Sequence, residues 1–180
     1  MPKNQFGVWD DLVADLSGRR LSSVAGKVDY DYDENAVKFQ SGGSLSNSAD
    51  RVTVNYQFSH STYFGTGAKF HWHYHWWQPD AKAYVISYRY RIQQNGSSKT
   101  TAWTTGSYTV GTGGEAFTYS SGTINQISEL VEIDIAGLAL SDTIQIQFAR
   151  TDSETGDILG YFVDGHYMKQ SNGSKQEYSE

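Results

Sequence analysis

From residue 51 onward, apolar and polar positions alternate. "RVTVNYQF" places Val52, Val54, Tyr56 and Phe58 on one side and Arg51, Thr53, Asn55 and Gln57 on the other. "AYVISYRYRIQ" sets Tyr84, Ile86, Tyr88, Tyr90 and Ile92 against Val85, Ser87, Arg89 and Arg91. "LVEIDIAG" and "TIQIQFAR" repeat the pattern through Val131, Ile133 and Ile135, then Ile144, Ile146 and Phe148. A period of two is that of a strand with one face on a core and the other on water or a partner. Turn residues separate these runs at "QPDA", "QNGSS", "GTGG", "SSGT" and "SETGD". The spacing predicts about eight strands in an all-β antiparallel sandwich, jelly-roll-like in topology.

The first fifty residues follow a different rhythm. In "VWDDLVADL" (8–16), Val8, Trp9, Leu12, Val13 and Leu16 have helical spacing, and Gly18 stands where a C-cap belongs. This predicts a short helix, with Asp10 and Asp11 in its first turn where negative charge is favourable. "DYDYDENA" and "SGGSLSNSAD" read as loop, with an extended piece at "AVKFQ" (36–40). The expected division is therefore an N-terminal arm, 1–50, and a β-sandwich, 51–180. A helix this short is marginal in water and must pack on something, so Trp9, Asp10, Asp11 and Leu12 are candidates for docking the arm.

Composition narrows the function classes. Thirteen Tyr, eight Phe and five Trp with only two Pro suit a β domain and argue against disorder. A formal net charge of −6, with no basic run longer than "GRR", speaks against nucleic acid as a partner. No stretch reaches membrane-spanning length, and "MPKNQFGVWDDL" lacks a signal-peptide core, so folding in a cytoplasm is expected. With no cysteine, disulfides and thiolate zinc sites are excluded.

The candidate chemistry lies in "KFHWHYHWWQPD" (69–80). Phe70, Trp72, Tyr74 and Trp76 form a wholly aromatic face that belongs to the core. The opposite face carries Lys69, His71, His73, His75 and Trp77, with the imidazoles about 6.6 Å apart along the strand. Neighbours in His-x-His can chelate one ion at about 2.0–2.1 Å, but His71 and His75 lie some 13 Å apart and cannot easily share it. Further ligands must come from elsewhere, and "YFVDGHYMKQ" offers Asp164 and His166 on one strand face. Three readings stay open: an interface or polar face, an ion held within one chain, or a divalent ion on the symmetry axis of a homotrimer. The acidic run Asp29, Asp31 and Asp33 is a solvated loop or a weak calcium site. Trp77 and Trp103 are candidates for stacking on sugars. Asn95 and Asn172 lie in N-x-S sequons. No G-x-S-x-G elbow or comparable nucleophile context is present, and no catalytic residue is expected.

Four short motifs, in order, resemble a family of small virion-associated proteins of tailed bacteriophages: "VWDDL" (8–12), "FSHSTYFGTG" (58–67), "HWHYHWW" (71–77) and "YFVDGHYMKQSNGSKQEY" (161–178). They correspond to the family's opening motif, its P-H-x-x-x-x-G, its H-x-H-x-H-W and its closing D-x-H-Y…G-S-x-x-E. Ser59 departs from the pattern by replacing proline before His60. The resemblance implies a non-enzymatic part of the particle, in capsid decoration, neck or collar, or tail-fibre attachment. Other virion proteins are the neighbours this implies. Self-association, with a homotrimer favoured, is expected instead from the face of His71, His73, His75 and Trp77, which is neither a clean core face nor an ordinary solvent face. The expected location is the virion, and no cofactor is expected apart from the divalent ion on a symmetry axis left open above. Two alternatives from other classes are a carbohydrate- or metal-dependent module that binds a host surface glycan, and a cupin-like metalloenzyme.

Overall fold

The computed structural model describes residues 8–15, 26–80, 82, 84–110, 126–127 and 131–169. Eleven strands are present among them: β1 (Val8–Asp15), β2 (Val28–Asp31), β3 (Ala36–Phe39), β4 (Val52–Gln57), β5 (Lys69–Trp77), β6 (Tyr84–Gln93), β7 (Thr104–Val110), β8 (Gln126–Ile127), β9 (Val131–Asp134), β10 (Thr143–Arg150) and β11 (Ile158–Lys169). A single turn of 3-10 helix covers Ser48–Asp50, capped by the Asn47 side chain.

The strands form two antiparallel sheets. The smaller runs β4-β10-β6-β7; the larger runs β2-β3-β11-β5, with β8 and β9 both on the far edge of β5 and β1 beside β11. The chain crosses between the sheets repeatedly, which gives the jelly-roll-like sandwich that the period-two pattern predicts. Its core is aromatic and aliphatic. Phe70, Trp72, Tyr74 and Trp76 are fully buried, facing Val52, Val54, Ile144, Ile146, Phe148 and Ile86. At about 25 cal/mol per Å² of apolar surface removed from water, these large rings dominate the driving force. The Tyr56 hydroxyl donates to Val163 O at 2.8 Å and ties one sheet to the other.

Two expectations for the first fifty residues are overturned. Val8–Asp15 is a strand, not a helix, and pairs with β11 over eight register positions from Val8↔Lys169 to Asp15↔Phe162. Pairing supplies long-range backbone hydrogen bonds that a short isolated helix lacks, and this outweighs a weak 3.6-residue pattern. Trp9, Asp10, Asp11 and Leu12 therefore stand opposite Met168, Tyr167, His166 and Gly165 in a sheet, rather than on a separate docking arm. "VDYD", read as loop, is β2, and with β3 it extends the large sheet. The boundary at residue 50 thus cuts through the sandwich, whose large sheet contains β1, β2 and β3.

One irregularity positions the site. Along β11 the register with β5 shifts between Gly160 and Phe162, so Gly160 opposes Trp76 while Phe162 opposes His75. The extra residue is Tyr161, a β-bulge. Before it, Gly160 points at the core rings of Tyr74 and Phe39; beyond it, Val163, Gly165 and Tyr167 are the buried positions. The bulge therefore turns Asp164 and His166 onto the face that carries His73. Gly165 must be small, because a Cβ there would lie 2.6 Å from the Phe70 ring.

Candidate functional site

The histidine strand divides between two neighbours. His71 pairs in register with Glu132 of β9, and its Nε2 lies 3.2 Å from Glu132 Oε2. Lys69 joins the same carboxylate at 3.2 Å and Asp134 at 3.7 Å. The Lys69 hydrogen bond, then that of His71, holds the Glu132 carboxyl below its usual range. This exposed network is a solvated ion cluster. Glu132 went unnoticed as a partner in the sequence, where only its place on the polar side of "LVEIDIAG" was visible.

His73 and His75 turn the other way. His73 is directly opposite Asp164 on β11, and His166 is one step along the same face. Three imidazole nitrogens surround one carboxylate oxygen. From Asp164 Oδ2, His73 Nε2 is 3.5 Å away, His166 Nε2 3.7 Å and His75 Nε2 4.0 Å. The rings crowd one another as well, with centroids 4.8 Å apart for His73 and His75 and 4.9 Å for His73 and His166. The group is largely covered: side-chain exposure is 12% for His73, 10% for His75, 15% for Asp164 and 23% for His166. Asp164 Oδ1 is buried and accepts no hydrogen bond among the described residues. Burial first, then the neighbouring imidazoles, push the His75 ring down to about 4, against the opposing pull of Asp164. At neutral pH it is therefore uncharged.

Of the candidates named from sequence, the structure brings together His73, His75, His166 and Asp164, and directs His71 elsewhere. His60 is exposed in the turn before β5. Asp31 caps the β2–β3 turn by accepting from the Asp33 and Glu34 amides at 3.2 Å each. Among the described residues, the metal-competent group is His73, Asp164 and His166, whose ligand atoms all lie within 4.8 Å of one another. Asn172 and the closing "G-S-x-x-E" lie outside the described residues.

A second surface lies on the outer face of the small sheet. Arg89 Nε donates to Gln147 Oε1 at 2.8 Å, Gln147 Nε2 to Thr53 Oγ1 at 3.1 Å, and Gln145 Nε2 to Asn55 Oδ1 at 2.9 Å. Trp103 is not a bare platform, because the guanidiniums of Arg89 and Arg91 lie 4.5 and 4.4 Å from its ring. Burial, then the charges of Arg51 and Arg91, lower the Arg89 pKa. Beside them an open cleft of about 390 Å³ is lined by Asn55, Arg91, Gln93, Lys99, Thr143 and Gln145 among others.

No family model matches the chain. No curated protein matches it either. Two solved structures are similar in outline. TmCBM61 in complex with β-1,4-galactotriose is 11% identical at a TM-score of 0.37, with 92% of this chain and 90% of that one covered. Dimeric latent PorU from Porphyromonas gingivalis is 11% identical at a TM-score of 0.35, with 90% of this chain and 13% of that one covered. Likenesses this weak carry no argument about what this chain binds.

Proposed function

We propose that this chain is a non-enzymatic structural component of a tailed-bacteriophage virion, assembling as a homotrimer with other virion proteins as neighbours. The observation that supports the reading is spatial. The four motifs that resemble the phage family, scattered from residue 8 to the C-terminal strand, gather in one half of the large sheet. "VWDDL" lies in β1, "HWHYHWW" in β5, and "YFVDGHYMK" in β11 between them. "FSHSTYFGTG" closes onto the end of β11, where Tyr63 N donates to Met168 O at 2.7 Å and Thr62 bridges Lys169. Motifs that converge on one surface suit a shared assembly face better than a set of unrelated sequence matches. Quantitative mass spectrometry of gradient-purified particles should find this chain at a fixed ratio to the major capsid protein. Light scattering should give three times the 20.1 kDa chain mass. Absence from the particle overturns the reading.

A second reading, recognition of a host-surface glycan, is favoured by the cleft on the small sheet. Amide and guanidinium side chains are the donors and acceptors that sugar hydroxyls require, and Arg91 with Lys99 matches an acidic sugar. Oligosaccharides carrying uronic or sialic acids should bind the intact protein, and Arg91→Ala should abolish that binding. A glycan array with no acidic ligand removes this reading.

A further inference from the structure

We propose that His73, His166 and Asp164, with His75 as a fourth donor, form a site within one chain for a divalent transition ion of the zinc type. This goes beyond the virion reading and does not depend on it.

Up to three imidazoles and one carboxylate suit borderline ions such as zinc, whereas calcium and magnesium take oxygen ligands. A tetrahedral ion with ligands at about 2.0–2.1 Å holds its donor atoms about 3.3 Å apart. The separations from Asp164 Oδ2 to His73, His166 and His75 Nε2 are 3.5, 3.7 and 4.0 Å. These exceed the roughly 2.7–2.9 Å of a charge-assisted hydrogen bond. The ligand atoms of His73, Asp164 and His166 all lie within 4.8 Å of one another, so these three converge on a common ion by side-chain rotation, with His75 Nε2 next to them at 4.0 Å from the carboxylate. One carboxylate oxygen is thus ringed by three imidazole nitrogens at 3.5–4.0 Å.

Two further observations point the same way. Asp164 Oδ1 is buried and accepts no hydrogen bond among the described residues, so the carboxylate's desolvation is poorly compensated. A cation at Oδ2 supplies the missing compensation. The Tyr161 bulge, moreover, is what turns Asp164 and His166 onto the face of His73; a regular strand would place them across from core positions. Bulges that re-aim side chains are over-represented beside functional sites. The four donors come from the two central strands of the large sheet, so a bound ion clamps β5 to β11. No ion shared between three chains is required.

The test uses the full chain, purified without a histidine tag and stripped by dialysis against chelator, then titrated with zinc chloride. Calorimetry should give one ion per chain, and the melting temperature should rise by roughly 5–10 °C at a hundredfold excess over Kd. Asp164→Asn and His166→Gln should each lose the ion and the thermal shift. His60→Gln and His71→Gln should keep both. Should a variant fold poorly, ring nitrogen resonances of the unaltered chain give the answer directly. On adding zinc, those of His73, His75 and His166 should shift, while those of His60 stay in place. One ion per three chains, no binding at millimolar zinc, or binding that survives both site variants overturns the proposal.

Discussion

The sandwich contains two largely covered clusters of titratable groups, and they are built on opposite principles. In one, Arg150 is satisfied on every side. Its Nε and Nη2 meet the Asp152 carboxylate at 2.9–3.1 Å, and Nη1 donates to Phe39 O at 3.3 Å. Its remaining donors reach the carbonyls of Gly156 and Glu154, and its guanidinium lies 4.5 Å from the Tyr84 ring centroid. In the other, Asp164 is ringed by three imidazole nitrogens at 3.5–4.0 Å, with Oδ1 left without a hydrogen bond among the described residues. A buried ion pair repays its desolvation only when its geometry closes and its remaining donors and acceptors are used. The arginine knot meets that condition and pins the end of β10 to the following loop. Asp164 does not meet it at Oδ1, and that is the gap the proposed ion would compensate.

The largest expected effect lies in the knot. Arg150→Met should cost about 3–5 kcal/mol in urea unfolding, because it leaves the Asp152 carboxylate and three carbonyls, of Phe39, Gly156 and Glu154, without their cation. A loss near zero would show that the knot is as dispensable as an exposed pair.

Acid should separate the two clusters by pH. The His75 pKa is pushed down to about 4, so between about 6.5 and 4 the unfolded chain binds more protons than the folded one. The metal-free protein should therefore lose stability as pH falls through that window, and His75→Gln should flatten the slope. Asp152 behaves differently. Burial alone would raise its pKa, but the Arg150 and Val85 hydrogen bonds and the Arg150 charge outweigh that and lower it. Its contribution should be complete above about pH 4 and fade only below. Thermal melts of the two proteins between pH 7 and pH 3 check both windows.

A smaller effect is expected at the centre of the aspartate cluster. Without metal, Asp164→Asn should change stability by at most about 1 kcal/mol, in the stabilising direction, since a neutral amide costs less to bury than a carboxylate. A loss as large as that of Arg150→Met would erase the distinction between the clusters. Smallest of all, Glu132→Gln should leave the unfolding midpoint unchanged, because Lys69, His71 and Glu132 meet in solvent.

Much of the sandwich is written in local periodicity. The even positions of β5, from Phe70 to Trp76, are buried as alternation requires, and so are Ile144, Ile146 and Phe148 of β10. Parity even carries Arg150 inward after Phe148, though nothing nearby in the chain announces the loop carbonyls that receive it. The candidate histidines and Asp164 were legible as residue types on strand faces. Their meeting was not.

By itself, then, the sequence determined the side-chain period, and with it the alternating strands beyond residue 51, the aromatic core and the outward set of imidazoles. Two features were settled only by tertiary structure. Val8–Asp15 is a strand because β11 offers it an edge, a long-range gain that no local pattern encodes. The bulge at Tyr161 exists in the register between β11 and β5, and one inserted residue exchanges the faces of everything after it. Whether Asp164 meets the core or the histidines depends on that single step, because a strand's faces alternate with period two and only its neighbour sets the count.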